Sequence, residues 1–152
     1  AINMSTAGAI TLSAGETGSL GDNLTLNLGV VVQSTGSSVS LSAGDDVVFG
    51  GIINANTTAT VTAGAGDAGD GGSVTDGNGT ITDVTAVSLT VSAVGGSAAN
   101  GIDLDTDITT LTSATVTDPS SYVGSGWYPQ PPSDVCDFSI TSTAFLIAVF
   151  IF

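Results

Sequence analysis

An all-β fold wound as a parallel β-solenoid is what this sequence predicts, and three observations predict it. Val, Ile, Leu and Thr dominate the chain, with Gly, Ser, Asn and Asp between them, which is the vocabulary of strands and turns. Helix formers are scarce: Lys and Arg are absent, Glu16 and Met4 are single instances, and Gln occurs only at 33 and 130. Short alternating phrases also return along the chain as near copies.

Those phrases are AITLSAG (9–15), LTLNLG (24–29), SVSLSAG (38–44), TATVTAG (58–64), GTITDV (79–84), SLTVSAV (88–94) and TTLTSATVTD (109–118). Each alternates an aliphatic residue with Ser or Thr, the period of a strand with one buried face. Their central aliphatics are Leu12, Leu26, Leu41, Val61, Ile81, Val91 and Leu111, at steps of 14, 15, 20, 20, 10 and 20 residues. A short strand and its turn occupy about ten residues, so the spacing predicts coils of about 20 residues holding two or three strands. One coil cannot bury its own apolar row, but stacked coils merge those rows into a continuous core. The expectation is therefore inward Leu, Ile and Val with outward Ser and Thr, and corners of positive φ at glycines 15, 29, 44, 50, 51, 64, 95 and 96. A β-sandwich also spaces short strands by about 8–12 residues. Near-identical phrases, and a single tryptophan lying outside them, favour the solenoid.

The run VSLSAGDDVVFGGIINANTTATVTAGAGDAGDGGSVTDGNGTITDVTAVSLTVSA, followed by GSAANGIDLDTDITTLTSATV, resembles the repeat region of filamentous-haemagglutinin-type large exoproteins and related bacterial surface adhesins. The resemblance covers roughly residues 9–117. It implies a right-handed parallel β-helix, secretion to the cell surface and a part in adhesion or in a surface fibre. Family members are usually longer and carry an N-terminal secretion domain, and a chain without Lys or Arg departs from them.

The pattern predicts a solenoid over 1–117, a Pro- and aromatic-rich cap or linker over 118–137, and an apolar tail strand over 138–152. All four prolines fall in the middle segment with Trp127 and Tyr128, and proline cannot donate to a ladder. Trp127 and Tyr128 are thus candidates to cover the open end of the stack. From Ala144 to Phe152 every residue is apolar, too short a run for a spanning helix, which needs about 20 residues. Phe145, Leu146, Ile147, Val149, Phe150, Ile151 and Phe152 are candidates for a capping strand of the same chain or one donated to a neighbouring copy.

Charge narrows the chemistry. Fourteen acidic residues face no Lys, Arg or His, for a formal net charge of −14. Phosphate-mediated nucleic-acid binding is excluded on that ground. Ser and Cys triads lack their His, phosphoryl transfer lacks its Lys and Arg, and zinc sites lack His with only Cys136 to offer. Cys136 also has no internal disulfide partner. Paired carboxylates leave room for glycan cleavage, as in some parallel β-helices, yet an anionic sugar would want cations and none exist. The expectation is no enzymatic activity.

Calcium is the one cofactor the composition suggests. Asp67, Asp70 and Asp76 lie in GDAGDGGSVTDGNG, where glycines let carboxylates converge. Asp103, Asp105 and Asp107 imitate the start of an EF-hand loop, but Ile108 stands where that loop needs Gly and Ala114 where it needs Glu. Their alternation with Ile102, Leu104 and Ile108 reads as the wet face of a strand, with the carboxylates about 6.8 Å apart. Any calcium would then be held weakly between coils.

The sequence therefore points to a structural or adhesive extracellular protein of the cell surface, self-associating by β-stacking and through its tail. Its expected partners are copies of itself and a host-cell or surface glycan, without nucleic acid and without a membrane span. Threonine rows on a flat face raise ice binding as the alternative, beside calcium-dependent binding.

Overall fold

The computed structural model describes residues 3–15, 21–65, 72–94 and 101–117, which form strands, turns and bends with no helix among them. Eleven strands occur among these residues: β1 (Asn3–Thr6), β2 (Ile10–Ser13), β3 (Leu24–Leu26), β4 (Val31–Ser34), β5 (Val39–Ser42), β6 (Val47–Phe49), β7 (Ile52–Ala55), β8 (Thr58–Ala63), β9 (Val74–Asp76), β10 (Val84–Val94) and β11 (Thr106–Thr117). Every pairing between them is parallel.

The strands repeat in threes. β1, β4 and β7 pair in succession, as do β2, β5 and β8, and β3, β6 and β9. We call each successive triplet a tier. In the fourth tier β10 spans two positions at once, pairing with β7 through Val84 and Thr85 and with β8 through Ser88 to Ala93. It joins both branches into one eight-stranded sheet that curls nearly closed, with β11 laid on β10 as a fifth tier. β3, β6 and β9 form a second sheet, extended by a bridge from Val74 to Ile102. This all-β parallel arrangement is compatible with a β-solenoid.

Alternation decides which side chains enter the core. Leu12, Leu41, Val61 and Val91 stack in one ladder, beside Ile10, Val39, Ala59 and Leu89. Val39, Leu41, Ala59, Val61, Leu89 and Val91 are fully buried. The second sheet adds Val47, Phe49 and Val74, also fully buried. In a parallel ladder like residues lie about 4.8 Å apart, so each aliphatic contacts the one above and below it, and burial follows from stacking.

Several expectations are corrected. The step between paired residues is not a uniform 20: Val39 to Ala59 spans 20 residues, Ala59 to Leu89 spans 30, and Leu89 to Leu111 spans 22. The corners take up the difference, because only the strands are bound to a fixed rise per residue. Leu26 belongs to the second sheet, stacked on Phe49. Ile81 lies in no strand and is half exposed, since GTITDV forms a corner up to Asp83. Of the described glycines expected at positive φ, Gly29 and Gly64 have it, while Gly15, Gly44, Gly50 and Gly51 do not; Gly21 and Gly79 do. Gly50 and Gly51 answer a different need: a Cβ on Gly50 would lie 2.8 Å from the Leu26 carbonyl oxygen, and one on Gly51 2.5 Å from that of Val30.

Candidate functional site

Two places gather polar chemistry. The first is the outer wall made by β2, β5, β8, β10 and β11. Apart from Thr106, inward positions there are apolar, so by period two the outward ones are the Ser and Thr of each phrase. Register lines them up in columns. Thr11, Ser40, Thr60, Thr90 and Ser113 form one, and Ser13, Ser42, Thr62, Ser92 and Thr115 a second. Thr58, Ser88 and Thr110 begin a third, in which the Thr58 and Ser88 hydroxyls lie 3.0 Å apart. The result is a grid of hydroxyls spaced about 4.8 Å between tiers and about 6.7 Å along each strand. A residue left over at Thr112 shifts the β11 register between Leu111 and Ser113, and the columns resume beyond it.

The second place is an acidic corner between β9 and β10. The Asp76 carboxylate accepts the backbone N–H groups of Asn78 at 2.7 Å and Gly79 at 3.0 Å, folding the chain back at Gly79, where φ is 80°. The turn brings the Asn78 side-chain amide to the Asp83 carboxyl, Nδ2 to Oδ1 at 2.6 Å, and to the Gly51 carbonyl at 3.3 Å. The other Asp83 oxygen accepts the N–H of Asp105 at 3.0 Å. Asp83 is fully buried. That burial pushes its carboxyl from 3.8 up to about 7; the charges of Asp76 and Asp105 add to the rise, while the Asp105 N–H and the Asn78 amide oppose it.

A related device ties the corners between the two sheets. Asn23 Oδ1 accepts the N–H of Asp46, and Asp46 Oδ1 accepts that of Ser73, both at 2.8 Å, so each tier caps the next. Asp45 is 6% exposed, and its Oδ2 accepts the N–H groups of Gly21 and Asp22. Its Oδ1 is buried without a partner, as is Thr106 Oγ1.

Of the candidate calcium ligands, Asp67 and Asp70 lie outside the described residues. Asp76 is occupied with its own turn. Asp103, Asp105 and Asp107 alternate with buried Ile102, Leu104, Thr106 and Ile108 as expected, but only Asp107 lies in a strand. Ile102 pairs with the second sheet and β11 starts at Thr106, so residues 103–105 turn the corner between sheets instead of forming one straight face. Among the described residues no three His, Cys, Asp or Glu side chains assemble in a way that could hold a metal ion. Trp127, Tyr128 and the apolar residues from Phe145 to Phe152 also lie outside the described residues. No helix among the described residues is long and apolar enough to cross a membrane.

Asp83 was not among the residues singled out from sequence. Its signal was faint: one Asp after Thr in GTITDV, a phrase singled out only for its central Ile81. Comparison with family models, with curated proteins and with solved structures finds no match.

Proposed function

We propose that the chain is a structural or adhesive module of an extracellular, cell-surface fibre: a right-handed β-helix that self-associates through β-stacking and its apolar tail, with residues 118–137 as a cap or linker. The observation that carries this reading is the uninterrupted inner ladder, in which Leu12, Leu41, Val61 and Val91 repeat one contact from tier to tier. A fold stabilised by repetition serves length and rigidity, and its outer wall of uncharged hydroxyls is suited to contact with glycans or to hydration. Electron microscopy of the full chain tests it. Filaments that disappear on deletion of residues 138–152 support self-assembly, and monomers unchanged by the deletion refute it.

The hydroxyl grid favours a second reading, in which the wall orders water and binds ice. Thermal hysteresis that is lost in Thr60→Tyr and Thr90→Tyr variants supports it. A folded wild-type chain without thermal hysteresis removes it.

A further inference from the structure

We infer that the two ends of the stack are complementary, and that the first tier of one copy seats on the last tier of another so that the ladders continue across the junction. This rests on the self-association reading and specifies its contact.

Among the described residues the two ends of the stack lack a neighbouring strand on one side. β1 and β2 terminate the order of the large sheet, and β11 pairs only with β10, so among the described residues each has one edge without a strand partner. Met4 is 40% exposed, whereas Val32, stacked on it from the second tier, is 2% exposed. At the opposite end Val116 is 36% exposed above a fully buried Ala93. Unpaired edges of this kind are templates for strand addition.

Register decides whether one end fits the other. Seating β2 on the second half of β11, as β5 sits on β2, puts Ile10 on Leu111, Leu12 on Ala114 and Ala14 on Val116. The same seating puts Thr11 on Ser113 and Ser13 on Thr115. Along β2 every inward position then meets an apolar residue and every outward one a hydroxyl, while along β1 Met4 falls on Thr106, Ser5 on Asp107 and Thr6 on Ile108. The corner between the branches matches too. From Met4 to Ile10 is six residues and from Thr106 to Leu111 is five. Ile53 to Ala59 and Val84 to Leu89 give the same six and five, and those tiers already stack. Because the contact joins unlike ends it does not close, and repetition builds a filament.

Charge opposes this contact. Each copy carries a net charge of −14, and Asp105 and Asp107 lie at the last tier. Raising salt from about 0.01 M to about 1 M shortens the screening length from about 30 Å to about 3 Å, so association should strengthen with salt.

Sedimentation and electron microscopy of the full chain over that salt range test the inference with two variants. Thr11→Pro blocks the first-tier edge: the N–H groups of Ile10 and Ala14 bond to Ser38 and Ser42 in the second tier, and by alternation the Thr11 N–H faces away from it. Val116→Asp places a charge on the last-tier face. Each variant alone should weaken association about tenfold or more while its thermal melt shows a folded chain. Mixed, the two should form dimers that grow no further, since each supplies the end the other lacks. Ser13→Pro replaces Thr11→Pro if the latter fails to fold. Wild-type-like filaments from both variants overturn the inference. Should they also be lost on deleting residues 138–152, the tail makes the contact and the fibre reading survives without it. A wild-type chain that stays monomeric at every salt concentration overturns both.

Discussion

The hydroxyl wall and the acidic corner use the same few residue types to opposite ends. On the wall, Thr and Ser stand outward and the inward positions are apolar save Thr106 at the start of β11. At the corner, Asp83 is drawn into a fully buried position and held by an amide and a backbone N–H. The wall is stable because every tier repeats one favourable contact. The corner is held by particular hydrogen bonds that no other tier reproduces among the described residues, and burial there leaves a carboxyl poised near neutrality. Repetition thus supplies the stability, and departures from it supply the sensitivity to conditions.

The most damaging way to break the wall is from inside. Leu41→Ala, at a fully buried rung between Leu12 and Val61, should cost about 3 kcal/mol, read as a lower denaturant midpoint. An effect under about 1 kcal/mol would mean the ladder is loosely packed.

The corner should respond to pH where the wall does not. The Asp83 carboxyl titrates near 7 in the fold against 3.8 unfolded, so the folded state holds the proton more tightly. Its contribution is fully present below about pH 3.8 and is lost as pH rises through about 7, by roughly a few kcal/mol. Asp83→Asn should flatten that part of the stability profile. An unchanged slope between pH 4 and 7 in the variant would assign the dependence to other carboxyls.

A smaller effect sharpens the same contrast. Thr106 stacks inward on Val84 at 3% exposure, with its hydroxyl unpartnered. Thr106→Val keeps the shape and removes the stranded hydroxyl, so it should stabilise by about 1 kcal/mol in chemical denaturation. Smallest of all, Thr60→Val on the outer wall should leave stability within about 0.5 kcal/mol, because outward residues there contribute little to the core. A larger loss would show that the hydroxyl columns hold the sheet together.

The wall was legible in the sequence because alternation and near copying survive in the one-dimensional text. SVSLSAG, TATVTAG and SLTVSAV are successive strands of one sheet in register. β4, β6 and β7 were harder to read. Val31 and Ile52 face outward yet are half-buried against each other, so VVQS and IINA lose the alternation with Ser and Thr that marks the other strands. GTITDV carried a strand pattern and became a corner, because the Asp76 turn and the Asn78–Asp83 bond outweigh a β-preference worth about 1 kcal/mol at most. The aspartates at 103, 105 and 107 kept their alternation of burial but not a straight strand.

By itself the sequence determined the all-β class, the inward aliphatics and outward hydroxyls of the repeated phrases, and the absence of any cationic side chain. These follow from local period and composition, which need no partner to be read. Only the tertiary structure decided the step between tiers, the fusion of two strand positions into β10, and the burial of Asp83. Each depends on which residue of one tier meets which residue of the next, and corners of unequal length leave that register unwritten in any single stretch of chain.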